Sequence, residues 1–270
     1  MQLIFLGSGS AFTVGDDNFQ CNILLVSDHG LKLLLDCGSD IRLSLYKAGF
    51  KATDITDVYI SHLHSDHVGG LEYLGFSTLF APQCDRPRLY LSQDLLEPLW
   101  ERTLRGGMGS LQNRVATLET FFQPHPIASG EGFCWESINF HLIAVPHVQN
   151  KIAPMPTYGL WFAIHGTQIF MTTDTQFDLD LLLPYYQQAD LIFHDCETGP
   201  IATSVHARYG QLASLPPEIK GKMWLCGYQP RSTQNPHQDG FLGFVQRGQT
   251  FYFPEPHSHR VPHPEVLSCT

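Results

Sequence analysis

Basic residues are scarce in this chain. Lysine and arginine number 16 against 26 aspartates and glutamates, a formal net charge of −10. Nucleic-acid surfaces work by neutralising phosphates with Lys and Arg, so a broad phosphate-tracking face is disfavoured, although a local basic pocket is not. No apolar run reaches the ~18 residues needed to span a bilayer. The opening stretch, Met1-Gln2-Leu3-Ile4-Phe5-Leu6-Gly7, lacks a basic leader, so no signal peptide is expected. Cys-x-x-Cys is absent too. The seven cysteines, at 21, 37, 84, 134, 196, 226 and 269, are scattered and odd in number. That pattern reads as reduced thiols in a cytoplasmic protein, without a disulfide framework. No internal repeat is visible by residue identity.

Histidine and apolar residues are plentiful instead. Apolar content is 43% of 270 residues, enough for a sizeable core in one large domain or two small ones. Strands are predicted over 3–6, 22–26, 31–35, 58–60, 89–91, 138–145, 158–164, 168–171, 189–195, 222–226 and 250–253. Helices are predicted over 41–48, from 71 through 79, over 93–105 with Ser92 as N-cap, over 179–188, and from 205 onward. Gly7-Ser8-Gly9-Ser10-Ala11 reads as a tight turn needing positive φ rather than as a phosphate cradle. Gly106-Gly107-Met108-Gly109-Ser110 reads as a loop, with an active-site lid as the sharper alternative. One domain over 1–253 is expected, followed by a Pro- and His-rich tail over 254–270 containing His257, His259 and His263.

The decisive stretch is Ser61-His62-Leu63-His64-Ser65-Asp66-His67. Three imidazoles and a carboxylate follow a short buried strand and precede a helix. In an extended turn, His62 and His64 point to the same side and pinch one ion. Asp66 and His67, at the turn into the helix, face a second ion about 3.5–4 Å away. Imidazole nitrogen with carboxylate oxygen suits zinc, with manganese or iron as alternatives.

His-x-His-x-Asp-His after a strand resembles the signature of the metallo-β-lactamase fold hydrolases, and the resemblance runs over about residues 1 to 253. It implies an αββα sandwich, two mixed sheets flanked by helices; periodicity alone says only α/β. It implies that Asp36, in Asp36-Cys37-Gly38, orients the histidine loop from beneath. It makes His147 the third ligand of the first ion and Asp174 the carboxylate bridging both. On residues alone, Asp36 reads equally as a strand-ending turn and Asp174 as a turn residue or helix cap.

The region around His206 resembles the ribonuclease Z-like branch, which includes cyclic phosphodiesterases. There a histidine opening a late helix protonates the leaving group. Asp195 matches its carboxylate partner, and Asp66 would hold or orient the attacking water. Two ions in such a site bring the pKa of a shared water toward neutrality and make hydroxide.

Two departures follow. Gly227 stands where the family places a last histidine for the second ion, so that site is expected to be weak, completed by water, or filled by Cys226 or a tail histidine. A histidine restored at 227 would strengthen it, provided the backbone there is not at positive φ. Further, the tRNA-gripping arm of ribonuclease Z lies between the third histidine and the bridging aspartate, and here His147 and Asp174 are only 27 positions apart. No tRNA partner and no membrane are expected. The expectation is a metal-dependent hydrolase of a small phosphodiester, cyclic-nucleotide-like. Rivals are an ester, thioester or lactone hydrolase, a mononuclear iron oxygenase, and a degenerate metal-binding scaffold. A homodimer is the default assembly.

Overall fold

Runs of consecutive apolar residues in short strands mean that both faces of a sheet are covered. The first strands show it. In Gln2–Phe5, Leu3 and Phe5 enter one core while Ile4 packs against another. In Ile23–Val26, Ile23 and Leu25 join the first set and Leu24 the second. Lys32–Leu35 and Asp57–Ile60 repeat the alternation, with Leu33, Leu35 and Tyr59 on one side and Leu34, Val58 and Ile60 on the other.

The structure is a computed structural model that describes residues 1–15 and 17–255. Two seven-stranded sheets stack face to face. The first runs, edge to edge, Thr250–Tyr252, Gln2–Phe5, Ile23–Val26, Lys32–Leu35, Asp57–Ile60, Arg88–Ser92 and Gln123–Ile127. The second runs Gly243–Phe244, Met223–Cys226, Leu191–Asp195, Thr167–Met171, Tyr158–Ile164, Ile138–Ala144 and Gly132–Trp135. The core between them is rich in aromatics, with Phe5, Tyr59, Trp135, Phe140, Phe162 and Phe193 nearly inaccessible. Helices Ile41–Lys47 and Leu71–Leu79 cover the outer face of the first sheet, and Leu179–Gln188 and Tyr209–Ala213 that of the second. This is the expected αββα sandwich.

Parallel pairing requires crossovers, and the helices supply them. Lys32–Leu35, Asp57–Ile60 and Arg88–Ser92 are parallel neighbours. So are Thr167–Met171, Leu191–Asp195 and Met223–Cys226. Both sets end at the same rim of the sandwich, and loops at the carboxyl ends of parallel strands are where open sheets of this kind build sites.

Four local expectations change. The helix from Gln93 does not stop at 105; it continues through a π-helical stretch, Leu99–Leu104, into Arg105–Met108. Met108 is buried, and a Cβ on Gly75 would lie 2.8 Å from its Cε, so the supposed lid is a packed helix end. Ser92 stands at the N-cap but makes no side-chain capping bond. His206 does not open a helix, because that helix begins at Tyr209. Of the tail, only Pro254 and Glu255 are described; His257, His259 and His263 lie outside the described residues.

Candidate metal centre

The rim gathers the side chains that the sequence singled out. Asp36 follows Lys32–Leu35, Ser61 and His62 follow Asp57–Ile60, and His147 lies beyond Ile138–Ala144. Asp174 lies beyond Thr167–Met171, and Asp195 closes its own strand. His64 caps the short helix Ser65–Val68 with extended backbone, so the chain changes direction between His62 and Asp66. Gly38 makes room for that helix. A Cβ there would sit 2.1 Å from the carbonyl oxygen of Asp66, which explains the glycine of Asp36-Cys37-Gly38.

Hydrogen bonds fix which nitrogen of each imidazole faces the centre. A carboxylate only accepts, so His67 Nδ1–H donates to Asp36 Oδ2 at 2.7 Å. A carbonyl only accepts, so His147 Nδ1–H donates to Val205 O at 2.8 Å. Ser61 Oγ spends its proton on Asp36 Oδ2 at 2.7 Å, so His62 Nδ1–H donates to Ser61 Oγ at 3.0 Å. In all three rings Nδ1 is taken by an outer partner and Nε2 is left pointing inward, the arrangement in which outer partners orient metal ligands.

Those lone pairs converge. His62 Nε2 and His147 Nε2 lie 3.0 and 3.1 Å from His64 Nδ1. One imidazole proton cannot satisfy both contacts, whereas ligands about 2.05 Å from a tetrahedral ion lie about 3.3 Å apart. Asp174 Oδ2 completes the group at 3.8 Å from His62 Nε2 and 3.6 Å from His147 Nε2. Its other oxygen, Oδ1, faces His67 Nε2 at 3.4 Å, and Asp66 Oδ2 is 3.2 Å from the same nitrogen. The second group is therefore Asp66, His67 and Asp174. Asp174 has one oxygen toward each group, so the donor set fits two divalent ions.

Electrostatics agree. Burial holds the imidazoles of His62, His64 and His147 below their ordinary pKa, so they stay neutral donors. Burial disfavours a charge on Asp174 too, but His67, His62 and His206 outweigh it and hold the carboxyl well below its usual range. For His67 the carboxylates of Asp174, Asp36 and Asp66 overcome burial and raise the pKa, which is the proton a cation would displace.

His206 stands beside this centre. Its Nδ1–H donates to Asp195 Oδ2 at 2.7 Å and lies 3.9 Å from Asp174 Oδ2. Burial opposes its charge, but Asp195 wins and pushes the imidazole up to about 9. Burial raises Asp195 itself to about 6 against the opposing pull of His206. The ring is partly exposed, and among the described residues its polar contacts are all through Nδ1.

The described candidate ligands thus lie at one rim; Cys226 ends its strand there too but belongs to neither ligand group. Its thiol is buried and bonds the carbonyl of His194 at 3.4 Å, outside both ligand groups. Ser61, Thr175, whose N–H donates to Asp195 Oδ2 at 3.0 Å, and the carbonyl of Val205 are not singled out by the sequence. Ser61 carried one signal, its place directly before His62; the other two act through backbone atoms, which no side-chain pattern reveals.

A family model described as Anti-Pycsar protein Apyc1 matches residues 1–251. This chain belongs to the Apyc1 family. Its relatives include the Apyc1 of Paenibacillus harenae, 36% identical over 248 residues, which span 91% of this chain and 97% of that protein. Among solved structures, the metallo-β-lactamase fold protein YhfI of Bacillus subtilis superposes with a TM-score of 0.71 at 16% identity, over 93% of this chain and 98% of its own. Human tRNase Z, short form, gives 0.68 at 19% identity, over 94% and 100%. Like these neighbours, this member of the Apyc1 family has the metallo-β-lactamase fold.

Proposed function

We propose that the protein is a metal-dependent hydrolase of small phosphodiesters, cyclic nucleotides being the favoured class. The observation that carries the reading is the His206–Asp195 pair set against the two ligand groups. A proton donor there serves a poor alkoxide leaving group, which is what opening a phosphodiester requires. Membership in a family named for opposing Pycsar is compatible with that substrate class.

The first ion would be held by His62, His64, His147 and Asp174, and the second by Asp66, His67 and Asp174. Bound there, divalent ions supply acidified water and neutralise charge on phosphoryl oxygens. The protein's own groups do the rest. Asp66 accepts a hydrogen bond from the attacking water and aims it. Asp36 and Ser61 keep the histidine loop rigid. His206 gives its Nε2 proton to the departing oxygen while Asp195 holds the ring.

Substrate size follows from the surroundings. The chain between His147 and Asp174 is used up by a loop and the hairpin of Tyr158–Ile164 and Thr167–Met171, leaving no arm for a folded RNA. Among the described residues no helix is long and apolar enough to cross a membrane. The test is a panel of cyclic phosphodiesters, thioesters and lactones, run before and after chelation. Cyclic phosphodiesters should turn over and chelation should abolish it. Full activity in metal-free protein, or turnover confined to carbonyl substrates, would sink the reading.

A further inference from the structure

A buried carboxylate oxygen without a hydrogen bond calls for an explanation, because it keeps its desolvation cost. Glu197 carries one. The residue is 2% exposed. Its Oε1 accepts from Thr203 N at 3.0 Å, whereas Oε2 is buried and accepts no hydrogen bond among the described residues. Arg208 Nε lies 3.7 Å from Oε2, near enough for attraction and too far for a hydrogen bond. Both residues line an open groove of about 410 Å³, a volume within the range of small-ligand sites. Other polar side chains lining it have donors to spare. Arg208 spends NH2 on Gly199 O at 3.2 Å, and its NH1 has no partner among the described residues. Gln211 uses its side-chain oxygen on Arg208 N at 2.9 Å, and Gln234 uses its own on Ser232 Oγ. The groove adjoins the proton donor. Glu197 lies two positions beyond Asp195, Arg208 lies two beyond His206, and a β-bridge joins Glu197 to Arg208. Alongside burial and the carboxylates of Asp195 and Asp174, the charge of Glu197 also bears on the His206 ring.

We infer that this groove takes the nucleobase of the substrate, and that Glu197 selects bases presenting a ring N–H beside a carbonyl, namely guanine and uracil. Such a base subsite rests on the cyclic-nucleotide reading above. Glu197 Oε2 accepts the ring N–H, while Arg208 NH1 and the amide groups of Gln211 and Gln234 donate to the carbonyl. Reaching Oε2 requires a small shift of Arg208, whose side chain is 42% exposed and holds no hydrogen bond to it. Adenine and cytosine carry a lone pair on the corresponding ring nitrogen, which a carboxylate repels. Turned so that their amines meet Glu197, they offer one ring lone pair to three donor groups, where a carbonyl offers two.

Glu197→Gln tests the subsite without removing a hydrogen bond. Thr203 N–H needs an acceptor, so the amide oxygen takes the Oε1 place. The NH₂ group then replaces Oε2, a donor where an acceptor stood. The measurement is kcat/KM of metal-loaded protein for the 3′,5′-cyclic phosphates of guanosine, uridine, adenosine and cytidine, with thermal melting as the fold control. The unaltered chain should favour the guanine and uracil substrates. Glu197→Gln should lower that preference by about 10–100-fold, chiefly through KM, the worth of one hydrogen bond to a charged group. A Glu197 that only supports the fold would shift the melting curve or slow all four substrates alike, leaving their ratio unmoved. Arg208→Lys keeps a charge beside Glu197 but loses NH1. It should raise KM for the guanine and uracil substrates more than for the other two, and it covers the case in which Glu197→Gln does not fold. Equal treatment of the four bases by the unaltered chain, or an unchanged ratio in the folded variant, overturns the subsite and leaves a phosphodiesterase standing. If none of the four reacts, the cyclic-nucleotide reading fails and takes the subsite with it.

Discussion

Asp36 offers the most quantitative test of the centre, because its carboxylate touches no ion and still dictates where two imidazoles point. It accepts from Ser61 N at 2.8 Å, Ser61 Oγ at 2.7 Å and His67 Nδ1 at 2.7 Å, and is 5% exposed. Asp36→Ala removes three charge-assisted bonds and takes the acceptor from three buried donors, which costs about 3–5 kcal/mol. The backbone at 36 has φ of +63°, which adds about 1 kcal/mol for alanine. Against a total stability of roughly 5–15 kcal/mol that variant approaches unfolding. Asp36→Asn is the sharper probe. Asparagine tolerates positive φ, and its oxygen can still accept from Ser61 N. Its NH₂ then meets His67 Nδ1, which must give up its proton and accept. The proton moves to His67 Nε2, where it blocks the ligand lone pair. The expected result is a folded protein whose second ion binds about 10–100-fold more weakly, or about 1.4–2.8 kcal/mol, with the first ion less affected. Calorimetric titration of stripped protein beside a melting curve reads both quantities. Asp36→Asn binding the second ion as tightly as the unaltered chain would refute the tautomer argument.

His206→Ala should slow phosphodiesters with poor leaving groups by roughly 10²–10⁴-fold and those with good leaving groups much less; equal losses would mean that the ring only binds or supports. Because the folded-state pKa of His206 is raised to about 9, the acid is present below that pH and is lost as pH rises through it. Bound cations beside Asp174 oppose the proton, so kcat should fall along an alkaline limb at or below about 9, and His206→Ala should remove the limb. Gly227→His, which the sequence alone suggested as a repair, should fail. Gly227 has φ of +72° and no space beside Asp195 Oδ1, so we expect a loss of about 1–2 kcal/mol on thermal melting and no tighter second ion.

The ligand set was legible because coordination chemistry restricts residue type, and the strands bearing it have plain apolar patterns. Tyr158–Ile164 and Leu179–Gln188 have the limits that pattern gave them. The stretch after Gln93 was not legible. Gly106 and Gly107 carry the signal of a loop, yet both lie in Arg105–Met108, held helical by the buried Met108 rather than by anything local to the glycines. The helix after His206 begins later than the pattern suggests because Arg208 bridges to Glu197 and the backbone of Ala207 is bonded to Glu197 N and Thr175 O, pairings that local sequence does not encode. The positive φ of Gly227 and the closeness of Asp195 Oδ1 to it are tertiary facts, set by neighbouring strands that lie some 30 positions apart in the chain.

The first sheet has a consequence for how the protein comes into being. Its second strand, Gln2–Phe5, pairs on one side with Ile23–Val26, about 20 positions later, and on the other with Thr250–Tyr252, some 250 positions later. Gly9 likewise bridges to Tyr228. A ribosome making the chain from its start therefore leaves the edge of Gln2–Phe5 open until nearly all of it has emerged, and an open strand edge invites pairing with other chains. The ligands come from 62–67, 147 and 174, so the centre cannot capture an ion before both halves meet. Such long-range closure belongs to slow folders, and chain made without its last strand should aggregate before it can load metal.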